Sequence, residues 1–317
     1  MFPTGTPLNQ QNIGTTIRQP STANLMIDST DRKGFSVRGG GNPANFTITK
    51  NENIMSGFFT RLAPNEVVLD WAMPNIQNYK GIENDVVAVY IPGYAGNSTQ
   101  VIALTPGFYN VQECLDALVV GLQASYFGTT AGLTFSLYTN QSSAPNKQRS
   151  GRARLICVDG SLNPVSFTFK ATYTNNNYSY LPSQLGIPLE VAQSSFNIDK
   201  PNLVYTPYIS FTSPQLTYNQ ALKDSSTALT TFDELYRWYF AWDGVPDYDL
   251  YGFAINMGYK PFVVRREIPY PKQISWTPNQ PIGQLTFQVL DANGNIINTD
   301  GVNGIMEWYI TLLVSEN

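Results

Sequence analysis

The chain has no histidine among its 317 residues. That removes the usual near-neutral acid/base and the commonest metal ligand, so most triads, proton relays and zinc sites cannot be assembled. Charge is also scarce. Asp, Glu, Lys and Arg make up 13% of the chain, roughly half the share usual in soluble proteins. The formal net charge of -4 argues against a broad nucleic-acid surface, because affinity for phosphates comes mainly from Lys and Arg. Two cysteines, Cys114 and Cys157, are too few for a disulfide scaffold. Both sit among apolar neighbours and read as small buried hydrophobes. No apolar run reaches the length of a membrane span. The opening residues, MFPTGTPLNQQNIGTTIRQPSTAN, lack the basic start and apolar centre of a signal peptide, which sets an expectation of folding in a reducing compartment. The sequons at Asn45, Asn97, Asn140 and Asn177 are then by-products of composition.

What is present is apolar and aromatic. Hydrophobic residues make up 42% and aromatics 13%, enough for a sizeable core. Asn, Gln, Ser and Thr fill much of the remainder. Such a surface is wet but nearly uncharged, and it lacks the repulsion that keeps free monomers apart. It suits an assembly subunit better than a solitary enzyme, and neither enzyme activity nor a cofactor or metal is expected.

Most ordered segments read as short strands. Phe46, Ile48 and Lys50 alternate with Thr47 and Thr49. The run EVVLDWAMPNI (66–76) stops at Met73-Pro74, and DVVAVYIPG (85–93) and STQVIALTPG (98–107) are each closed by Pro and Gly. GLTFSLYT (132–139), RARLICV (152–158), VSFTFKATY (165–173) and LVYTPYISFT (203–212) follow at the spacing of an antiparallel domain. Near the end, Leu285, Phe287 and Val289 alternate with polar residues, and Met306, Trp308, Ile310, Leu312 and Val314 do the same. Asn293-Gly294 and Asn303-Gly304 supply the tight turns between them. One helix stands out over FYNVQECLDALVVGLQA, where Val111, Leu115, Leu118, Val119 and Leu122 share a face. Asn110 is its expected N-cap and Glu113 its capping-box carboxylate. A second helix is a candidate over 230–242. Residues 1–24 read as an extended N-terminal arm and 25–317 as a single domain with long loops, RGGGNP (38–43) being a flexible stretch before its core.

Candidate sites each have a plainer reading. The GGG at 39–41 is not followed by the Lys and Ser/Thr of a phosphate loop and reads as a flexible loop. Asp243, Asp247 and Asp249 could seat a hard cation, but they lack the spacing of a Ca²⁺ loop. Asp291 to Asp300, with Asn293, Asn295 and Asn298, is explained by turn chemistry. Lys147, Arg149, Arg152 and Arg154 form the main basic run, with Arg265 and Arg266 a smaller one; nucleic acid inside a shell is one reading, a solvated loop or an acidic partner the plainer one. The aromatic stretch Tyr236, Trp238, Tyr239, Phe240, Trp242, Tyr248 and Tyr251 could form a sugar platform, with packing or subunit contact the plainer reading. No catalytic, cofactor or metal residue is therefore assigned.

The order of motifs resembles a family. LMIDSTDR (25–32), FFTRLAPNEVVLDWAMPNI (58–76), VIALTPGFYNVQECLDALVVGLQ (101–123), LGIP (185–188), YISFTSPQLTYNQALKDSST (208–227), QLTFQVLDANGNII (284–297) and MEWYITLLV (306–314) look like the penton, or minor capsid, proteins of virophages, polinton-like viruses and related double-stranded DNA viruses. The resemblance implies an all-β fold, a single jelly-roll sandwich of two four-stranded antiparallel sheets with one or two short helices in loops. It implies a homopentamer at icosahedral vertices of the virion, assembled inside the host cell. Neighbouring double-jelly-roll major capsid proteins and other minor capsid proteins are the implied partners. The competing reading is a receptor- or carbohydrate-binding sandwich used for attachment. A cupin-type enzyme fails for want of histidine.

Overall fold

β-Branched and aromatic residues at period two become strands because each pleat sends alternate side chains to one face. The structure is a computed structural model describing residues 22–33, 41–49, 54, 59–78, 84–173, 177–204, 206–217, 234–240, 247–275, 282–297 and 305–316. The chain opens with β1 (Thr22–Asp28), β2 (Asn45–Thr49) and β3 (Arg61–Ala72). Then come β4 (Val86–Tyr90), β5 (Gln100–Ala103), helix α1 (Val111–Ala124), β6 (Thr134–Tyr138), β7 (Ala153–Val158) and β8 (Phe167–Lys170). Four short strands follow: β9 (Thr172–Tyr173), β10 (Asn177–Tyr178), β11 (Ala192–Gln193) and β12 (Ser195–Ile198). The last part holds β13 (Tyr208–Thr212), β14 (Glu234–Tyr239), β15 (Asp247–Tyr248), β16 (Ala254–Ile255), β17 (Phe262–Glu267), β18 (Ile274–Ser275), β19 (Gln284–Leu290) and β20 (Ile305–Ser315). Of the arm expected over 1–24, only 22–24 are described, and these already belong to β1.

Eight of these strands make the expected sandwich. One sheet runs β1-β20-β3-β17, with β18 also on β3, and the other runs β14-β13-β19-β2. Counted along the chain, the orders are first-eighth-third-sixth and fifth-fourth-seventh-second. That is the strand order of a jelly roll, with each pair of neighbours antiparallel. Between the sheets lie Trp71, Trp238 and Trp308 with Phe46, Phe211 and Phe287. The Trp308 ring centroid is 5.2 Å from that of Phe211, 5.6 Å from Phe46 and 5.7 Å from Phe287, and its indole N–H donates to the Pro43 carbonyl at 2.9 Å. Pro64 has no N–H to give a ladder. It falls between the part of β3 paired to β18 and the part paired to β17, where the β20 register shifts past Asn65.

Between the third and fourth of these strands the chain builds a second pair of sheets, β11-β8-β4-β5 and β12-β7-β6, over a separate core. Phe135, Phe167, Phe169 and Phe196 meet there at centroid distances of 4.8–5.8 Å. The expected helix is present. Asn110 accepts from the Glu113 N–H and the Glu113 carboxylate accepts from the Asn110 N–H, both at 2.8 Å. Its buried face is Val111, Cys114, Leu115, Leu118 and Leu122. Gly121 lies so close to β5 that a Cβ there would sit 2.5 Å from Ile102. The sequence reading expected one continuing series of strands and did not foresee this second core.

The helix expected over 230–242 is not formed: its described part is β14. Phe211 pairs with Tyr236 and Thr212 with Glu234, leaving Leu235 as an extra, bulged residue. The bulge places buried Leu235 and Trp238 three apart, a spacing that imitates a helical face.

Candidate assembly and recognition surfaces

The two outer faces of the jelly roll differ. On the β1-β20-β3-β17 sheet, Met26, Leu313 and Val263 are exposed on the face that also carries Glu66, Arg265 and Glu267. Arg265 lies 2.7 Å from Glu66 and 3.5 Å from Glu267, and these carboxylates hold its guanidinium above its ordinary pKa. The opposite sheet presents hydroxyls and amides. Thr47 and Thr286 face each other at 3.1 Å, and Gln215 both donates to the Thr286 hydroxyl and accepts from its N–H. Arg237 lies over the Tyr208 ring at 4.3 Å and donates to Glu234 at 2.6 Å. Edge strands β1, β2, β14 and β17 bound these sheets, and edges are where a further chain can pair.

The sequence candidates are dispersed. Trp238 is fully buried in the jelly-roll core and Phe240 packs on Trp71 at 4.6 Å, so the aromatic stretch is not one platform. Tyr239 and Tyr248 are exposed; Trp242 lies outside the described residues. Asp243 and Asp300 lie outside them as well, as do Gly39, Gly40, Asn298, Asn303 and Gly304. Asp249 spends its carboxylate on N–H groups of Gln112, Tyr251 and Phe253, at 2.9–3.0 Å. Its charge there complements the N-terminus of α1. Asp291 accepts from the N–H groups of Asn293 and Asn295 at 2.8 Å, the turn chemistry expected. Among the described residues no group of three or more acidic or cysteine side chains is gathered for a metal.

Cys114 and Cys157 are free and buried, and burial pushes both thiols up to about 12. In the smaller basic pair, the Arg266 guanidinium sits 4.3 Å over the Trp238 ring. In the main run, Arg152 approaches Asp199 at 3.6 Å and Arg154 lies 5.4 Å from the Tyr138 ring centre. Lys147 and Arg149 stay exposed in the β6–β7 loop. That loop meets the turn after β15: Gln141 donates to the Leu250 carbonyl at 3.0 Å and the Gly151 N–H to the Tyr251 carbonyl at 2.9 Å. Tyr251 in turn donates to Asp116 at 2.7 Å, and burial, then this carboxylate, raises its hydroxyl to about 12.

One cluster was missed. Arg32 grips Glu307 with two hydrogen bonds of 2.7 Å. Ser29 donates to the same carboxylate and accepts from the Trp308 N–H at 2.9 Å. The Ser-x-x-Arg spacing inside LMIDSTDR was the signal, but its acidic partner lies 275 residues away.

No family model and no curated protein sequence matches the chain. Among solved structures, the chain is similar to the mavirus penton protein, with 10% identity and a TM-score of 0.49 over 95% of this chain and 100% of that one. It is also similar to a chain of the Sputnik virophage particle, with 12% identity and a TM-score of 0.38 over 94% of this chain and 98% of that one.

Proposed function

We propose that the chain is a structural capsid protein, a penton subunit that closes into homopentamers at the icosahedral vertices of a DNA virus particle. The observation that carries the reading is the jelly-roll strand order, with outer faces on which uncharged polar groups and scattered exposed apolar side chains accompany a few paired charges. Charge is depleted at the centres of protein interfaces, and a heterologous contact repeated around a ring closes without leaving a free face. The role is the one stated in the name of the mavirus protein. Neighbouring double-jelly-roll major capsid proteins and other minor capsid proteins are the partners, the virion vertex is the location, and assembly takes place in the host cell. No catalytic step is part of the proposal. The single domain over 25–317 then holds two cores, the second built mainly by residues 73–207 between the third and fourth strands of the roll and completed by Phe253 and Tyr259.

Native mass spectrometry and particle imaging test this together. The expected result is a five-fold species of the 35.2 kDa chain and density for it at the vertices. A strictly monomeric protein absent from particles would overturn the reading.

A further inference from the structure

Charge along the chain is segregated. Four of its 19 Lys and Arg residues, Lys147, Arg149, Arg152 and Arg154, fall within eight positions, and residues 117–158 contain no Asp or Glu. The fold presents this segment at the surface and fastens it to a second loop about 100 residues later. Besides the two hydrogen bonds from Gln141 and Gly151, the two backbones touch through glycine. Gly252 has φ +81, and a Cβ on it would lie 1.8 Å from the Ser150 hydroxyl and 2.9 Å from the Gly151 nitrogen. The second loop carries Tyr248 and Leu250, which are 56% and 70% exposed. Two motifs that are separate in sequence thus share one place.

The acids around them are mostly engaged. Asp249 is occupied by three N–H groups, Asp116 by Tyr251 and Asp199 by Arg152; Asp247 accepts from the Tyr248 N–H. Lys147 and Arg149 make no ion pair or side-chain hydrogen bond with other described residues. Exposed cations on one loop and an exposed tyrosine on the loop fastened to it offer charge to an anionic group and a flat apolar face to a sugar ring.

We propose that the β6–β7 loop, with Lys147 and Arg149, and the adjoining loop, with Tyr248, form a binding site for an acidic glycan bearing sulfate or carboxylate groups. Two free cations form a small patch, which fits a few acidic groups on an oligosaccharide. A nucleic acid held without sequence preference needs a longer array of cations. Of the 236–251 aromatics considered for a sugar platform the site keeps Tyr248, with Trp238 in the core, and it adds the 139–151 loop. It is independent of the vertex reading.

The test uses the full chain in calorimetry and on immobilised heparin, a sialylated oligosaccharide, neutral dextran and duplex DNA, at several salt concentrations. The wild type is expected to bind heparin, the sialylated sugar or both, more weakly as salt rises, and to ignore dextran. The Lys147→Gln/Arg149→Gln double variant should lose about tenfold or more in affinity, and Tyr248→Ala a smaller factor. Arg61→Gln, an exposed cation on the jelly roll, should leave binding unchanged. Circular dichroism and particle sizing on the same samples report folding and oligomer state, so a fault in the vertex reading shows there and not in glycan affinity. Absence of binding to either acidic glycan, an unchanged double variant, or tighter binding of duplex DNA through the same cations would overturn the proposal.

Discussion

The jelly roll and the inserted sandwich bury similar side chains but close in opposite ways. In the jelly roll, β1 pairs with β20, joining Thr22 to Ser315, so the sheet is complete only when the two ends of the described chain meet. In the insertion, every strand lies between residues 86 and 198, and α1 packs against β5 and β6, its neighbours in sequence. Long-range pairing must meet loop-closure entropy before its contacts repay it, whereas local pairing meets less. The expected consequence is that the insertion forms first and provides a scaffold between the third and fourth strands of the roll. The chain carries its own reporters for this difference. The three described tryptophans, Trp71, Trp238 and Trp308, lie in the core of the roll and both cysteines lie in the second core, so their indole fluorescence follows the roll and thiol reactivity follows the insertion.

The largest expected effects come from emptying one core at a time. Trp308→Ala removes three ring contacts and the bond to Pro43, and should cost the jelly roll about 3–5 kcal/mol. Phe167→Ala should cost the insertion a similar amount, because its ring meets Phe135, Phe169 and Phe196. In a denaturant series, the first variant should shift the fluorescence midpoint and the second the thiol midpoint. Equal shifts in both probes for both variants would mean that the two cores melt as one unit.

Arg32→Met ranks next. Arg32 and Glu307 are shielded from water, at 7% and 24% side-chain exposure, and the substitution takes two charge-assisted hydrogen bonds of 2.7 Å from that carboxylate. Charge-assisted hydrogen bonds of this kind contribute about 2–3 kcal/mol, and the loss should appear in fluorescence alone. The insertion has a pH signature of its own. Its two thiols stay protonated in the folded protein until about 12 but ionise near 9 when unfolded. Their contribution is complete below pH 9 and is lost as pH rises toward 12. Unfolding followed by far-ultraviolet circular dichroism should lose stability over that window in the wild type, and Cys114→Ala/Cys157→Ala, read by the same signal, should flatten the fall.

Legibility in the sequence followed the same division. Local signals were readable: the α1 capping box from Asn110 and Glu113, the period-two faces of β19 and β20, and the Asp291 turn. What the sequence hid were relations across distance. The bulge at Leu235 disguised β14 as a helix, since one extra residue moves the buried pattern from period two toward period three. β17 escaped notice because its FVVRRE run alternates exposed and half-buried residues with no fully buried face. The second core was invisible because its strands have the same length and spacing as those of the roll, and only pairing separates them. The candidate recognition site was half legible: the basic run and the later aromatics both stood out, but the glycine contact that joins them is a property of the fold.

The smallest expected effect gives the most local test of the comparison. Asn110→Ala removes the side-chain acceptor of the Glu113 N–H while leaving every core contact in place, and loss of such a cap costs about 1 kcal/mol. If the insertion is a unit of its own, that loss should raise the thiol-labelling rate of native protein about fivefold, because labelling tracks the open population when closing is fast. Fluorescence should stay at its wild-type midpoint. Asn110→Asp should restore the wild-type rate, since a carboxylate accepts the same N–H and suits the helix N-terminus. A cap that changed both probes equally would show that α1 stabilises the roll and the insertion together, through the Asp249 and Gln112 contact that bridges them.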